Sequence, residues 1–231
     1  MRAVVQRKYG TPDDLTVTEV PTPVPGPGEV LIQVQAVSLN ASDWETLRGR
    51  PAYARLAGLL RPRRQILGSD IAGRVSAVGP GATRFRPGDD VYGDILDRKG
   101  GFAEYVAAPQ DALAPIPEGL SYADAAALPQ AAAIALSAVR AIDPEPGQTV
   151  LVNGAGGGSG MYLVQLVKRA GAEVTGVDSA AKLRFVRSVG ADHALDSERD
   201  DWTRSGSYDA VIDLAAYRRL RDYRRALSPG G

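Results

Sequence analysis

The sequence predicts an α/β fold with a β-rich first part and a second part in which strands and helices alternate. Near residue 120, short runs punctuated by proline and glycine give way to alanine-rich helical segments. After residue 148, short apolar runs alternate with segments of helical period, which is typical of a parallel sheet with helices on both faces. A glycine-rich loop follows the first of these strands. Two domains are therefore expected, 1–120 and 121–231.

The first part is predicted to be a largely antiparallel sheet, closed or barrel-like. Val30, Ile32 and Val34 alternate with polar residues, and this period of two indicates a half-buried strand. Four prolines between residues 21 and 27 form a stiff extended connector. Further strands, separated by GPGA, RPGD and RKGG turns, are predicted at 71–78, 91–95 and 102–106.

The second part opens with two helices. Ser121 and Asp124 have the spacing of a capping box, and Pro129 starts a helix that runs to about Ile142. The remaining elements alternate as a parallel sheet requires. They are strand 149–153, helix 160–169, strand 173–177, helix 182–189, strand 193–195, strand 208–214 and helix 217–227.

Composition excludes several classes of function. Lys+Arg and Asp+Glu number 27 each, so overall charge favours neither a nucleic-acid partner nor an anionic membrane. The chain has no cysteine and a single histidine, His193, which excludes thiolate nucleophiles and cysteine-ligated zinc. No apolar run approaches the roughly 20 residues of a membrane span. We therefore expect a cytoplasmic protein that acts on a small molecule.

The glycine-rich loop is the sharpest chemical feature. Glycine is needed where a strand turns tightly into a helix and the backbone approaches a pyrophosphate. The N–H groups of the first helical turn then point at the phosphates. A flexible loop is the alternative, and the strand–loop–helix–strand context favours dinucleotide binding. The predicted cofactor-binding residues of this loop are Asn153, Gly154, Ala155, Gly156, Gly157, Gly158, Ser159 and Gly160.

Asp178 ends the next predicted strand, where the adenosine ribose of a bound dinucleotide would lie. A carboxylate there accepts hydrogen bonds from the ribose hydroxyls and repels a 2′-phosphate, which favours NAD(H). Ser179 and Lys182 follow and could instead serve the 2′-phosphate of NADP(H). A helix N-cap is a further alternative for Asp178. The sequence leaves the choice between NAD(H) and NADP(H) open.

Several blocks together resemble the medium-chain dehydrogenases/reductases. EVLIQVQAVSLNASDW, LGSDIAGRVSAVGPGATRFRPGDDVYG and GGFAEYV resemble their GroES-like catalytic domain. The block from NGAGGGSG to GADHALD resembles their Rossmann cofactor domain. The order and spacing are similar to those of the quinone-oxidoreductase-like branch. The resemblance implies a GroES-like β-barrel-type domain over 1–120 and a doubly wound Rossmann sheet over 121–231.

The resemblance also implies the chemistry. Asn40 and the Ser69-Asp70 pair stand where zinc alcohol dehydrogenases carry a cysteine and a His-Glu pair, so we expect no catalytic zinc. The implied reaction is hydride transfer from NAD(P)H to a quinone, enone or similar activated carbonyl. Asn40 is the predicted catalytic hydrogen-bond donor, and Asp43 is expected to fix its loop. Tyr53 is a second catalytic candidate, with a packed aromatic side chain as the alternative.

The chain departs from the family pattern in two ways. Residues 132–135 read Ala-Ala-Ile-Ala where relatives carry Gly-x-Thr-Ala, a change that could weaken nicotinamide placement. Only about four of the six strands of a complete Rossmann sheet are predicted, so we expect a chain shortened at its C-terminus with an open sheet edge. The rival hypothesis is therefore a catalytically inactive nucleotide-binding or assembly module. A homodimer is a possible assembly.

Overall fold

The structure, a computed structural model, describes residues 1–56 and 58–230. The chain divides into two compact units, Met1–Gln130 and Ala131–Gly231. The predicted domain boundary at residue 120 precedes this division by one short helix and a turn. Within the described ranges, no helix combines the length and the apolar character that a membrane span requires.

The first unit contains two antiparallel sheets, of which the period-two patterns predict only the larger. A two-stranded sheet pairs β1 (Arg2–Gln6) with β2 (Leu15–Glu19). The larger sheet has the order β6-β3-β4-β5-β7. Its strands are β3 (Glu29–Val37), β4 (Asp70–Val78), β5 (Asp90–Asp94), β6 (Tyr105–Pro109) and β7 (Leu113–Pro115). Isolated bridges Ala3↔Ala103 and Val5↔Ile66 attach β1 to segments beside it.

The alternating apolar side chains of the larger sheet form the core of the first unit. Val30 and Ile32 of β3 are fully buried and pack with Ile71 and Val75 of β4 and Val91 of β5. The polar neighbour Gln33 faces solvent. Each side chain removed from water stabilises the sheet by roughly 1.5–3 kcal/mol, and this burial fixes which face of β3 turns inward.

The first unit also contains two α-helices, and one of them differs from the prediction. Helix α1 (Ala41–Arg48) begins immediately after Asn40, where a loop was predicted. Gly49 ends it in the left-handed conformation, with a φ of 61°. Helix α2 (Tyr122–Ala126) begins at Ser121, whose side chain accepts a hydrogen bond from the N–H of Asp124, as predicted.

The strand predicted at 102–106 lies three residues later, at β6. The backbone of Phe102 is engaged elsewhere, because its N–H donates to Leu67 and its carbonyl accepts from Val4. Lys99 and Gly100 precede it with φ angles of 54° and 110°. The chain therefore turns through this segment before it joins the sheet.

The second unit is built on a four-stranded parallel sheet, with the order β10-β9-β8-β11. Its strands are β8 (Thr149–Asn153), β9 (Glu173–Asp178), β10 (His193–Asp196) and β11 (Ala210–Asp213). Its helices are α3 (Pro129–Ile142), α4 (Gly158–Arg169), α5 (Leu183–Ser188) and α6 (Leu220–Ala226). This is the first-half order of a doubly wound sheet, as predicted.

Both faces of the parallel sheet are covered. On one face, Val150 and Val152 of β8 pack with Leu163 and Val167 of α4. On the other, Leu151 packs with the fully buried Trp202. Successive side chains of β8 point to opposite faces of the sheet and therefore join two different cores. The central position of β8 places the loop that follows it at the carboxyl edge of the sheet.

Candidate functional site

The glycine loop adopts the strand–turn–helix geometry that phosphate binding requires. Gly154 turns the chain directly after β8 with a φ of 86°, which favours glycine. Gly157 is the N-cap residue of α4. The N–H groups of the first turn of α4 have no carbonyl within the helix to bond, and the helix dipole adds positive potential there. The loop is therefore a ready anion-binding site.

Three glycines of the loop have distinguishable roles. A Cβ atom at Gly160 would lie 2.0 Å from the carbonyl oxygen of Gly154, so only glycine lets α4 pack this closely on the loop. At Gly157 the nearest atom would be that same oxygen, at 3.2 Å, and at Gly158 it would be the Cβ of Ala131, at 3.7 Å. The loop is therefore tightly packed beneath Gly160 and has room for a Cβ atom at Gly158.

Asp178 lies at the end of β9 and contacts the glycine loop directly. Its Oδ2 accepts a hydrogen bond from the N–H of Gly156 at 2.8 Å, and its Oδ1 accepts from the N–H of Ser179 at 2.8 Å. The Lys182 ammonium lies 3.6 Å from Oδ1. The structure thus places Asp178 and Lys182 beside the loop and Ser179 next to Asp178, and their roles in cofactor binding stay predictions. The contact with Gly156 was not predicted, and it shows that Asp178 also holds the loop in place.

A second carboxylate, Asp213, fixes the neighbouring strand end. Its Oδ1 accepts hydrogen bonds from the Asn153 side chain at 2.9 Å and from the N–H groups of Ala215 and Ala216, each at 2.8 Å. Its Oδ2 accepts from the Tyr223 hydroxyl at 2.8 Å. Asn153 is therefore a buried positioning residue that ties β8 to β11. Sequence analysis placed Asn153 in the loop but did not identify Asp213, because the hydrogen bond between the two spans 60 residues.

In the first unit, Asn40 lies in a polar cluster at the start of α1. Its backbone N–H donates to Oδ2 of Asp43 at 3.1 Å, and its Nδ2 donates to the Ser38 hydroxyl at 3.3 Å. Asp43 is buried, and its Oδ1 accepts from the N–H of Gly68 at 3.0 Å. Asp43 therefore fixes this segment, as predicted. The Asn40-x-x-Asp43 spacing was the signal for a helix start that the sequence-based assignment missed.

Ser69 and Asp70 lie beside Asn40 and are fully buried. Oδ2 of Asp70 accepts from the N–H of Gln130 at 2.9 Å. Burial raises the pKa of Asp70 to about 6, and the Gln130 N–H and the Asn40 side chain offset part of that rise. Among the described residues, Oδ1 of Asp70 and the Ser69 hydroxyl have no hydrogen-bond partner. The predicted Asn40 and Ser69-Asp70 positions thus form one cluster.

Zinc does not fit this donor set. Catalytic zinc is held by thiolate, imidazole and carboxylate ligands, whereas these positions offer an amide, a hydroxyl and one carboxylate that is already hydrogen-bonded. Across residues 1–56 and 58–230, no group of three or more His, Cys, Asp or Glu is placed to hold a metal ion.

Tyr53 lies apart from these contacts. It sits in a 3₁₀ turn, Ala52–Arg55, and 57% of its surface is exposed. The alternative prediction of a packed aromatic side chain is therefore wrong. Its hydroxyl donates to the Glu45 carboxylate at 2.8 Å, and this hydrogen bond raises the pKa of Tyr53. A phenol held in this way is a poorer proton donor near neutral pH.

Comparison with known proteins agrees with this geometry. Residues 26–118 match the family described as alcohol dehydrogenase GroES-like domain, and residues 158–231 match the family described as zinc-binding dehydrogenase. A chloroplast envelope quinone oxidoreductase homolog of Arabidopsis thaliana is 35% identical over 93% of this chain and 68% of its own length. The chain belongs to the medium-chain dehydrogenase/reductase family. Within it, the chain falls in the quinone-oxidoreductase-like branch of NAD(P)-dependent oxidoreductases.

Solved structures extend the likeness to the backbone. The quinone oxidoreductase from Coxiella burnetii has a TM-score of 0.86 and 32% identity, over 93% of this chain and 68% of that protein. The CurK enoyl reductase has a TM-score of 0.85 and 27% identity, over 100% of this chain and 72% of that protein. This chain therefore spans about two thirds of the length of such relatives.

Proposed function

We propose that this member of the family binds NADH or NADPH at the glycine loop and reduces a quinone, enone or similarly activated carbonyl compound without zinc. The observation that carries the proposal is the loop itself. It is closed beneath Gly160 and open at Gly158, and its N–H groups lead into α4. When bound, reduced nicotinamide supplies the hydride, and water supplies the proton that completes the reduction.

For the first unit, we propose that Asn40 orients the acceptor. Its amide is neutral and partly exposed, and its hydrogen bond to the Ser38 hydroxyl is long at 3.3 Å. An amide N–H of this kind can turn toward an oxygen on which negative charge develops. Asp43 and Asp70 act as positioning residues, since one holds the backbone of Asn40 and the other lies against its side chain. Tyr53 is the weaker candidate because Glu45 occupies its hydroxyl.

NADH is the proposed preferred cofactor. The Asp178 carboxylate is only 11% exposed and lies against the glycine loop, so a 2′-phosphate beside it would meet a nearly desolvated negative charge. Lys182, at 3.6 Å, neutralises part of that charge but is itself half exposed and screened by solvent. A cytoplasmic location stays a prediction, with which the absence of cysteine is compatible.

The test combines binding with turnover. NADH and NADPH are titrated by fluorescence, and oxidation of the bound cofactor is then followed by absorbance with a quinone and with an enone. Asn40→Ala should lower kcat by roughly tenfold to a hundredfold and leave cofactor affinity unchanged, whereas the matched Ser38→Ala should retain activity. Cofactor binding without turnover on either substrate would favour the inactive nucleotide-binding module. No binding of either cofactor would refute both hypotheses.

A further inference from the structure

Positive charge is concentrated in one segment of the first unit. Residues 46–69 contain six arginines and no aspartate or glutamate, although the whole chain has a formal charge of zero. Arg61, Arg63 and Arg64 in this segment are exposed. Among the described residues, neither Arg63 nor Arg64 has a hydrogen bond or an ion pair. A segment of this kind raises the local concentration of anions.

Two cavities meet at these arginines. They have volumes of about 550 and 390 Å³, and both are lined by Arg63, Arg64 and Lys99. The larger has an apolar wall that includes Val5, Val20, Ile66 and Val106. Its volume is within the usual range for small-ligand sites, roughly 300–1,000 Å³.

The charged lining of the larger cavity is predominantly positive. Arg98 adds a further cation, and Glu29 is the one acidic residue of its lining. Arg98 and Glu29 pair with each other at 3.0 Å. The charges of Arg63, Arg64 and Lys99 are therefore not neutralised by an acid within the cavity.

Lys99 is a buried ammonium group without a hydrogen-bond partner among the described residues. Its side chain is only 9% exposed, and its one ion pair, to Oδ1 of Asp43, is long at 3.5 Å. An ammonium group has three N–H donors, and burying them unsatisfied is costly. Lys99 lines both cavities, so an anion there would add negative charge near this buried ammonium group.

We propose that this cavity binds a small amphipathic anion, a carboxylate or phosphate monoester that carries a short apolar chain. The head group lies among Arg63, Arg64 and Lys99, and the chain lies along the wall that contains Val5 and Ile66. This site belongs to the first unit and is separate from the glycine loop of the second. Its test is independent of cofactor binding at that loop, although Asp43, the ion-pair partner of Lys99, also holds the backbone of Asn40.

The test is calorimetric titration of the cofactor-free protein with octanoate and hexyl phosphate, with 1-octanol as the neutral probe. Both anions should bind, more weakly as salt is added, and octanol should bind at least tenfold more weakly. If only one anion binds, the head-group chemistry is thereby identified as carboxylate or phosphate. Equal binding of octanoate and octanol, or no binding of either anion, would overturn the proposal.

Variants locate the site. Arg63→Ser combined with Arg64→Ser should weaken anion binding at least tenfold, while Arg61→Ser, an exposed arginine of the same segment that lines neither cavity, should not. Equal effects of the two variants would contradict the assignment. Lys99→Met combined with Asp43→Asn removes the buried pair together and should also abolish binding, with thermal unfolding measured to confirm folding. If that variant fails to fold, the arginine variants alone decide the outcome.

Discussion

The tight contact beneath Gly160 makes a strong prediction about stability. In Gly160→Ala, the new Cβ would lie 2.0 Å from the Gly154 oxygen and 2.7 Å from the Cα of Ala155. Both are backbone atoms, so α4 or the loop must move. Overpacking typically costs about 1–3 kcal/mol, and we expect the upper end of that range because no flexible side chain can yield.

Gly158→Ala is the matched control. Its Cβ would have only the Cβ of Ala131 within 4 Å, at 3.7 Å, which is ordinary van der Waals contact. Gly158 is the first residue of α4, and alanine there restricts the unfolded chain. We therefore expect a gain of about 0.4–1 kcal/mol in the free energy of unfolding. The same methyl group would stand where a pyrophosphate must approach the backbone, so NAD(P)H affinity should fall.

Urea unfolding followed by tryptophan fluorescence measures the difference, because Trp202 is fully buried in the unit that contains the loop. With a urea m-value of about 3 kcal/mol/M, Gly160→Ala should lower the unfolding midpoint by roughly 1 M. Cofactor titration should then show weakened binding in the stable Gly158→Ala protein. Wild-type stability of Gly160→Ala would refute the packing argument, and wild-type cofactor affinity of Gly158→Ala would refute the binding argument.

Three further substitutions test other contacts. Asp178→Asn keeps an acceptor for the Gly156 N–H but removes the negative charge, so the ratio of NADPH affinity to NADH affinity should rise. Fluorescence titrations measure this ratio. An unchanged ratio would show that Asp178 does not determine the choice of cofactor. Because the pKa of Asp70 is raised to about 6, its contribution to stability is lost as pH rises from about 4 to 6. Asp70→Asn should therefore gain up to about 3 kcal/mol over wild type by neutral pH, and parallel stability–pH curves would contradict this. Tyr53→Phe should change kcat less than twofold, whereas a larger loss would restore Tyr53 as a catalytic residue.

Sequence patterns predicted the second unit closely. The strand at Thr149–Asn153 and the helix at Pro129–Ile142 have their predicted bounds. Parallel strands that are buried on both faces give continuous apolar runs. Proline often marks the start of a helix, and glycine often follows its end. The helix predicted at 217–227 is shorter, at Leu220–Ala226, since capping and fraying set helix ends more than periodicity does. Gly231, the last residue of the predicted second domain, lies outside the described residues.

The first unit was predicted less well because long-range contacts decide its elements. The strands β1, β2 and β7 were not predicted, and β1 depends on pairing with β2 and on bridges to Ala103 and Ile66. Phe102 was assigned to a strand on propensity, but Leu67 and Val4 hold its backbone in a turn. Local propensity for β structure yields readily to such tertiary contacts.

The candidate site, too, was predicted only in part. The glycine loop and Asp178 follow from spacing along the chain, since both lie at the carboxyl ends of adjacent parallel strands. The hydrogen bond between Asp178 and Gly156 spans 22 residues, and the Lys99–Asp43 pair joins different segments of the first unit. No local pattern encodes such distances, and only the folded chain reveals which polar groups find partners and which do not.

The hydrogen bonds that converge on Asp213 should make one turn rigid on slow timescales. A single carboxylate holds the N–H groups of Ala215 and Ala216, although both residues are exposed at the surface. Such amides should exchange with deuterium together, because one rotation of the Asp213 side chain releases both. That rotation would also free Asn153 at the end of β8. The deuterium exchange rate of these two amides would therefore also indicate how well ordered Asn153 is, at the buried end of β8 that precedes the glycine loop.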